Sequence, residues 1–396
     1  VGEALAGLGT AAGRADPYPL YARLRAAGPA VTAEDGTLYV TGYRACEAVL
    51  RDHRLGKQPQ LRLVASGFPR WRERPSLRIM FTSLLTLNPP EHTRLRRLVS
   101  AAFTAHRVAA LRPGMEGIVA ELCERTEGDT DFVESFAFPL PVTVIGELLG
   151  VPAEDRLMFQ GLVHDWTVVL DTLAPEAVDR ADAAVVVIRD YLADLIRRRR
   201  TAPADDLISA LVAVCDATDR LHPDELTTMV ALLLAAGFET TTLLLANALV
   251  ALLGHPEQAD RLRTEPALSQ SAVEELLRFD SPVQLLSSRS APVDLEVGGI
   301  FLAAGQPIVT LVGAANRDPS AFTDPDVLRL DRAEGAPLSF GGGIHHCLGA
   351  PLARLEAQVA LPALLRRFPK LAVTGAPQPR DGLALHGYSI LPISAH

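Results

Sequence analysis

Phe340-Gly341-Gly342-Gly343-Ile344-His345-His346-Cys347-Leu348-Gly349 follows a proline-rich loop and precedes a periodic apolar stretch, 350–368, that predicts a helix. Consecutive glycines allow backbone conformations closed to other residues and let the chain come close to a flat ligand. A cysteine just ahead of a helix has its thiolate favoured by the positive end of the helix dipole. Cys347 is thereby a candidate ligand for a haem iron, because a thiolate pushes electron density toward the metal and favours O–O cleavage. Two plainer readings compete. A cysteine beside glycines is commonly a small buried hydrophobe. A zinc site built from His345, His346 and Cys347 is disfavoured, because adjacent side chains point apart while structural zinc ligands are spaced.

At these spacings Phe340, Gly343, His345, Cys347 and Gly349 resemble the ligand loop of the cytochrome P450 family. The resemblance implies a mainly α fold with small β-sheets, in which haem b (iron protoporphyrin IX) lies between a long central helix and the cysteine-loop helix. It implies Cys347 as the iron ligand and puts Phe340, His345 and Gly349 at the cofactor.

A length of 396 residues would usually mean two or three domains, but no Gly/Ser- or Pro-rich linker separates blocks of composition. One domain over 1–396 is expected, with disorder confined to residues 1–15. Apolar residues at 48% against 21% charged supply enough material for a deep core. The net charge of −9 argues against a general nucleic-acid binder. Cys46, Cys123, Cys215 and Cys347 form no close-spaced framework, which fits a reducing cytoplasm. No basic segment with a long apolar core opens the chain, and the most apolar run, 229–238, is shorter than the ~20 residues that span a bilayer. No membrane is expected as a partner.

Upstream, Asp16-Pro17-Tyr18-Pro19 opens an amphipathic stretch, 31–40 alternates about Asp35-Gly36 like a hairpin, and 43–50 reads as a helix. Periodicity fades from 54 to 86, marking a long irregular segment. Between 51 and 86, Arg51, Arg54, Lys57, Arg62, Arg70, Arg72, Arg74 and Arg78 stand against only Asp52 and Glu73. They read either as a solvated loop or as a positive rim that gates entry of an acidic or carrier-tethered substrate. A helix then starts at Asn88-Pro89-Pro90-Glu91-His92. His92 and Arg96, four apart, share a face suited to a ligand carboxylate, against the plainer reading of a solvated basic helix. The stretch is similar to the family helix that holds the haem propionates, with Asn88 where Asp is commoner. The resemblance adds Arg289 and His345 as propionate contacts.

A helix over 223–253, stopped by Gly254-His255-Pro256, would span ~45 Å at ~1.5 Å per residue and must be largely buried. Glu239 and Thr240 in its middle therefore need a reason. Pairing of Glu239, with a bond from Thr240 back to the preceding turn, is one. The other is a helix opened locally at Gly237, where a carboxylic acid and an alcohol relay protons. Ala236-Gly237-Phe238-Glu239-Thr240-Thr241 resembles the family's oxygen-activation motif, which implies catalytic roles for Ala236, Gly237, Glu239 and Thr240. His222 stands where a capping Ser or Thr is usual.

Glu275 and Arg278, three apart, can pair, and the resemblance places them in a buried structural network closed by Arg332. It puts Leu285, Leu286 and Ser287, with Leu85 and Tyr388, at the substrate pocket. Arg329 and Pro337 replace the family's frequent acidic residue and histidine, and Pro362 is expected to kink the last helix.

The activity so implied is insertion of one atom of O2 into a small, largely apolar organic substrate, such as an intermediate of secondary-metabolite or antibiotic biosynthesis, the other atom leaving as water. No nicotinamide or flavin site is evident. Electrons are therefore expected from NAD(P)H through a separate ferredoxin reductase and ferredoxin, delivered to a cytoplasmic monomer. A haem-binding sensor or carrier without turnover competes, but would not need the Glu239–Thr240 pair. A hydrolase with Cys347 as nucleophile also competes, and would be colourless.

Overall fold

In the computed structural model, which describes residues 1–218 and 222–396, helices dominate and the strands are short. The chain forms two compact units. One comprises Val1–Gly56, Arg112–Ala137 and Thr240–His396, and the other Lys57–Leu111 and Phe138–Glu239.

In the first unit, residues 1–15 include regular structure. Helices Gly2–Leu8 and Ala11–Ala15 form there, because Ala4 and Leu8 are buried in a cluster with Tyr21, Leu24 and Leu311. Burying a leucine is worth about 1.5–3 kcal/mol, enough to offset the ordering of a residue or two. The hairpin at Asp35-Gly36 pairs Ala30–Thr32 with Leu38–Val40, Ala30 opposite Val40, and Gly36 takes a positive φ of 83° in its turn. Leu38–Val40 runs parallel to Ile308–Thr310, which pairs antiparallel with Leu286–Ser290. Helix Tyr43–Arg51 contributes Cys46, Val49 and Leu50 to the core that also holds Ile308 and Leu338. Helix Ala350–Arg367 continues through Pro362 and packs on Arg112–Arg125, Pro256–Thr264 and Ser269–Phe279.

In the second unit, the segment expected to be irregular contains helices Pro59–Ala65 and Pro75–Phe81. Both prolines occupy first-turn positions, where the missing N–H has no intrahelical partner to lose. The second of these helices is tied down by Asp182 of helix Pro175–Thr201, which accepts from Ser76 N (2.8 Å) and Ser76 Oγ (2.6 Å), and Trp166 Nε1 donates to Ser76 O (3.2 Å). The basic run at the end of Pro175–Thr201 is paired rather than free: Arg197 with Asp194, Arg199 with Asp206, Arg200 with Asp216.

Helix Pro223–Leu253 belongs to both units. His222 caps it: Nδ1 accepts from Asp224 N (3.3 Å), while Glu225 accepts from His222 N (3.0 Å). This reproduces the reciprocal logic of a capping box with an imidazole in place of a hydroxyl. The helix is more apolar than the sequence reading allowed. By length and composition it is the one helix among the described residues that passes for a membrane span, yet 72% of its most apolar window is buried inside the protein.

Candidate functional site

The cysteine loop is built within the first unit. Gly341 and Gly343 have φ of 70° and 63°, and a Cβ on Gly343 would lie 2.7 Å from Leu50 O. Glycine at 343 therefore satisfies both the backbone sign and the close approach of the Tyr43–Arg51 helix end. The loop closes through Cys347 N–H to Phe340 O (2.9 Å). Of the four cysteines, Cys46, Cys123 and Cys215 are buried and Cys347 is exposed, two residues before Gly349, the N-cap of helix Ala350–Arg367. A methyl on Gly349 would stand 3.9 Å from the Cys347 sulfur, in van der Waals contact with it. The Phe340 ring lies 4.5 Å under the Arg354 guanidinium, and Arg354 is itself held by both carboxylate oxygens of Glu274. The sequence reading missed this brace, whose partners stand 80 residues apart.

Arg289 sits behind the same loop at 4% exposure. It donates to Leu50 O (3.1 Å) and Leu55 O (3.3 Å), and its Nε has no hydrogen-bond partner among the described residues. Burial pushes this guanidinium down to about 10 against the weaker, opposite influence of Asp52. A buried cation held only by carbonyls, with a free donor, is suited to an incoming carboxylate. His345 lies half-buried in the cysteine loop. An exposed thiol ahead of a helix and a buried guanidinium with a spare donor fit a haem iron and a propionate.

The second unit carries the other predicted propionate ligands on helix Glu91–Ala102. His92 is 1% exposed, and burial, then the charge of Arg96, lower its pKa. On a neighbouring face Arg94 pairs with Glu225, so the helix is not simply a solvated basic one. Asn88 explains its departure from the family pattern: Oδ1 accepts from Lys57 N (2.7 Å) and Nδ2 donates to Lys57 O (2.8 Å). An aspartate could not make the second bond. Leu85, just upstream, is 38% exposed.

The oxygen motif lies within a continuous helix. A Cβ on Gly237 would stand 2.5 Å from Ile145 Cγ1; the glycine admits the helix Pro139–Leu149. Ala236 is exposed and Thr240 half-exposed, and their four-residue spacing gives this buried helix one accessible stripe at the motif. Glu239 is 9% exposed, with His164 Nδ1 at 3.9 Å and that imidazole 54% exposed. A surface imidazole thus stands next to the buried carboxyl.

Of the pocket candidates, Leu286 is brought to the cysteine loop, 3.4 Å from the Cβ position of Gly341. Leu285 points to other neighbours, in the cluster of Tyr21 and Leu311, as alternation along an extended segment requires. Ser287 lies on the strand Leu286–Ser290. Tyr388 is on strand Tyr388–Ile390, its hydroxyl pushed up to about 12 by burial and by Asp280 and Asp16.

Glu275 receives Arg278 through both oxygens (2.6 and 2.9 Å) and Arg332 Nε at 3.0 Å. Both arginines also bond backbone carbonyls of 323–327. In the basic segment, Arg74 is held by Asp179 and Asp182, Arg62 by Leu170 O and Asp171 O, and Arg54 by Asp52. The positive rim is smaller than the residue count suggested: Arg70, Arg72 and Arg78 remain exposed.

The sequence profile of the family described as Cytochrome P450 matches residues 157–386. The chain is 40% identical over 392 residues to 6-deoxyerythronolide B hydroxylase of Saccharopolyspora erythraea, covering 96% of each. It is 38% identical to the polyketide biosynthesis cytochrome P450 PksS of Bacillus subtilis, covering 90% of this chain and 88% of that protein. Its fold matches the crystal structure of P450BioI in complex with an acyl carrier protein ligated to hexadec-9Z-enoic acid, at a TM-score of 0.90 and 34% identity, covering 98% of this chain and 100% of that one. The chain therefore belongs to the cytochrome P450 family, and is a haem b monooxygenase that uses O2 and electrons supplied by redox partners.

Proposed function

We propose that this enzyme oxidises a small, largely apolar intermediate of secondary metabolism, of the polyketide class. The observation that carries the oxygenase reading is the exposed Cys347 thiol in a loop whose Gly343 packs on Leu50 O, the carbonyl that also holds the buried Arg289. Cys347 ligates the iron, and His92, Arg96, Arg289 and His345 hold the propionates. Haem, when bound, supplies the activation of O2 and the oxidising equivalent. Glu239 and Thr240 of the 223–253 helix hold and pass protons, and Leu286 helps to position an apolar substrate. Electrons reach a monomeric cytoplasmic enzyme from NAD(P)H through a ferredoxin reductase and a ferredoxin. Four chain crossings between the units, one of them inside a continuous helix, support a single catalytic domain over 1–396.

A carrier-tethered form of the substrate is favoured by Arg70, Arg72 and Arg78, exposed cations without an acidic partner among the described residues. Changing all three to Gln should weaken binding of an acyl carrier at low salt and not at high salt; equal affinity at both leaves only a free substrate.

The test of the main reading is the reduced carbon-monoxide spectrum of the holoprotein and of Cys347→Ser. The wild type should show the strongly red-shifted thiolate band and the variant should lose it. A variant that keeps the band removes Cys347 as ligand. Screening polyketide intermediates by the spectral shift on displacement of water, then by mass of the product, identifies the substrate.

A further inference from the structure

His386 lies in the turn before Tyr388, 6% exposed, and the oxygenase chemistry leaves it without a role. Both ring nitrogens face acceptors: Nε2 is 3.2 Å from Asp280 Oδ1, and Nδ1 is 3.1 Å from Arg14 O. A neutral imidazole carries one N–H and satisfies one of them; only the imidazolium satisfies both. Asp280 Oδ1 also accepts from Tyr18 Oη (2.8 Å), whose oxygen accepts from Gln284 Nε2 (3.1 Å).

The backbone of the same residue is equally engaged. His386 N–H donates to Pro282 O (2.8 Å), and His386 O accepts from Asn247 Nδ2 (3.2 Å) of the 223–253 helix. A Cβ on Gly387 would lie 2.8 Å from Asn247 Oδ1 and from Leu243 Cδ2, so this turn is pressed onto that helix. One residue before it, Leu385 forms a bridge with Val283, and Gln284 N–H donates to Ala384 O (3.0 Å). The turn is thus the lateral partner of the segment that leads into Leu286 and Ser287.

We propose that His386, held as an imidazolium between Asp280 and the Arg14 carbonyl, is a positioning residue that clamps the 383–388 turn as a wall of the substrate pocket and releases it at alkaline pH. The wall assignment rests on the pocket reading above; the clamp does not.

The ionisable groups around the ring favour its charge. Asp280 caps helix Ser269–Phe279, and Asp16 and Tyr18 flank the N-terminal helices. Tyr388 follows on the next strand, and the 223–253 helix contributes the Asn247 amide. Two cations are turned elsewhere, Arg14 toward Asp381 at 3.6 Å and Arg317 over the Tyr18 ring at 4.3 Å, and the backbone N–H of Arg380 donates to Gly387 O. Burial alone would lower the pKa of His386, but the charge of Asp280 and its hydrogen bond outweigh that and raise it. A raised folded-state pKa means the clamp is complete below the ordinary histidine value and lost as pH rises through the higher one.

Two readouts test this on the holoenzyme. Hydrogen exchange of the peptide over 380–391 in His386→Gln should be about tenfold faster than wild type near pH 6.5, the scale of one charge-assisted bond, with the two equal near pH 9.5. Asp280→Asn should move the wild-type transition to lower pH. Equal protection of wild type and His386→Gln at the lower pH overturns the clamp. Separately, econazole, an azole large enough to touch a pocket wall, and imidazole, which is not, are titrated by their spectral shift between about pH 7.5 and 9.5. Econazole affinity should fall with pH in wild type and be low and flat in His386→Gln, with imidazole unaffected. If exchange responds and econazole does not, the clamp stands and the turn is not a pocket wall.

Discussion

Gly237→Ala tests whether the glycine of the oxygen motif serves chemistry or packing. The added Cβ would stand 2.5 Å from Ile145 Cγ1, 2.9 Å from Cδ1 and 3.1 Å from Cβ, closer than carbon atoms tolerate. Because Ile145 is 2% exposed in a packed helix, it has little freedom to retreat, and overpacking of this kind costs about 1–3 kcal/mol. Replacing a mid-helix glycine returns about 0.5–1 kcal/mol of backbone entropy. The net expectation is a loss of about 1–2 kcal/mol. Urea unfolding followed by tryptophan fluorescence reads it directly, since Trp71 and Trp166 are both buried in the unit that contains the contact. Ile145→Ala alone opens a cavity and costs about 2–5 kcal/mol; combined with Gly237→Ala, the methyl enters that space and the two losses should sum to less than their parts by about 1–2 kcal/mol. Additive losses, or a Gly237→Ala variant as stable as wild type, would refute the packing account and return Gly237 to the oxygen chemistry.

Thr240→Ala should leave haem content and ligand binding intact while product per NAD(P)H consumed falls about tenfold or more and hydrogen peroxide rises, because the proton path loses its alcohol; unchanged coupling removes Thr240 from that path. Glu275→Gln should cost about 3–5 kcal/mol by leaving Arg278 and Arg332 without their buried anion, and a melting temperature within about 2 °C of wild type would show the network to be dispensable. Glu356, wholly buried with neither oxygen bonded among the described residues, has its pKa raised well above the carboxylate range by burial. The folded state therefore keeps a proton that the unfolded state releases, and stability falls as pH rises above the unfolded value near 4.3. Glu356→Gln should gain stability over wild type at pH 8 and converge with it near pH 4, and equal stabilities at pH 8 would mean the carboxyl finds a partner in solution.

What was legible in the sequence is what adjacent residues decide. The cysteine loop was readable because its glycines, its thiol and the following helix lie within a dozen positions, and the Glu239–Thr240 helix because two polar residues interrupt a long apolar run. The pairing of Glu275 with Arg278 followed from helical spacing, whereas Arg332 needed the family resemblance. Partners distant in the chain were not readable. Arg74 counted as a free cation until Asp179 and Asp182 stood beside it, and the Glu274–Arg354–Phe340 brace and the His386 contacts left no local signal. The faded periodicity of 54–86 misled in the opposite way, since Pro59 and Pro75 within it are helix starts.

The departures from the family pattern have a common physical form. At Asn88 an amide donates and accepts with the Lys57 backbone, and at 222 an imidazole nitrogen takes over the capping hydroxyl's bond. Arg329 keeps its N–H on Glu275 Oε1 (2.9 Å) and turns its guanidinium to Thr323 O and Glu334. Pro337, in place of a histidine, holds an extended conformation from which Leu338 N–H reaches Asn316 Oδ1 (2.8 Å). Asn316 Nδ2 donates onward to Ser339 Oγ and Ser281 Oγ (2.9 and 2.8 Å). Each substitution is absorbed by a backbone group within reach, so the changes remain local. The entry to the cysteine loop is bonded to Asn316 rather than to a side chain at 337, and the loop closes through Cys347 N–H to Phe340 O, a bond that involves no side chain.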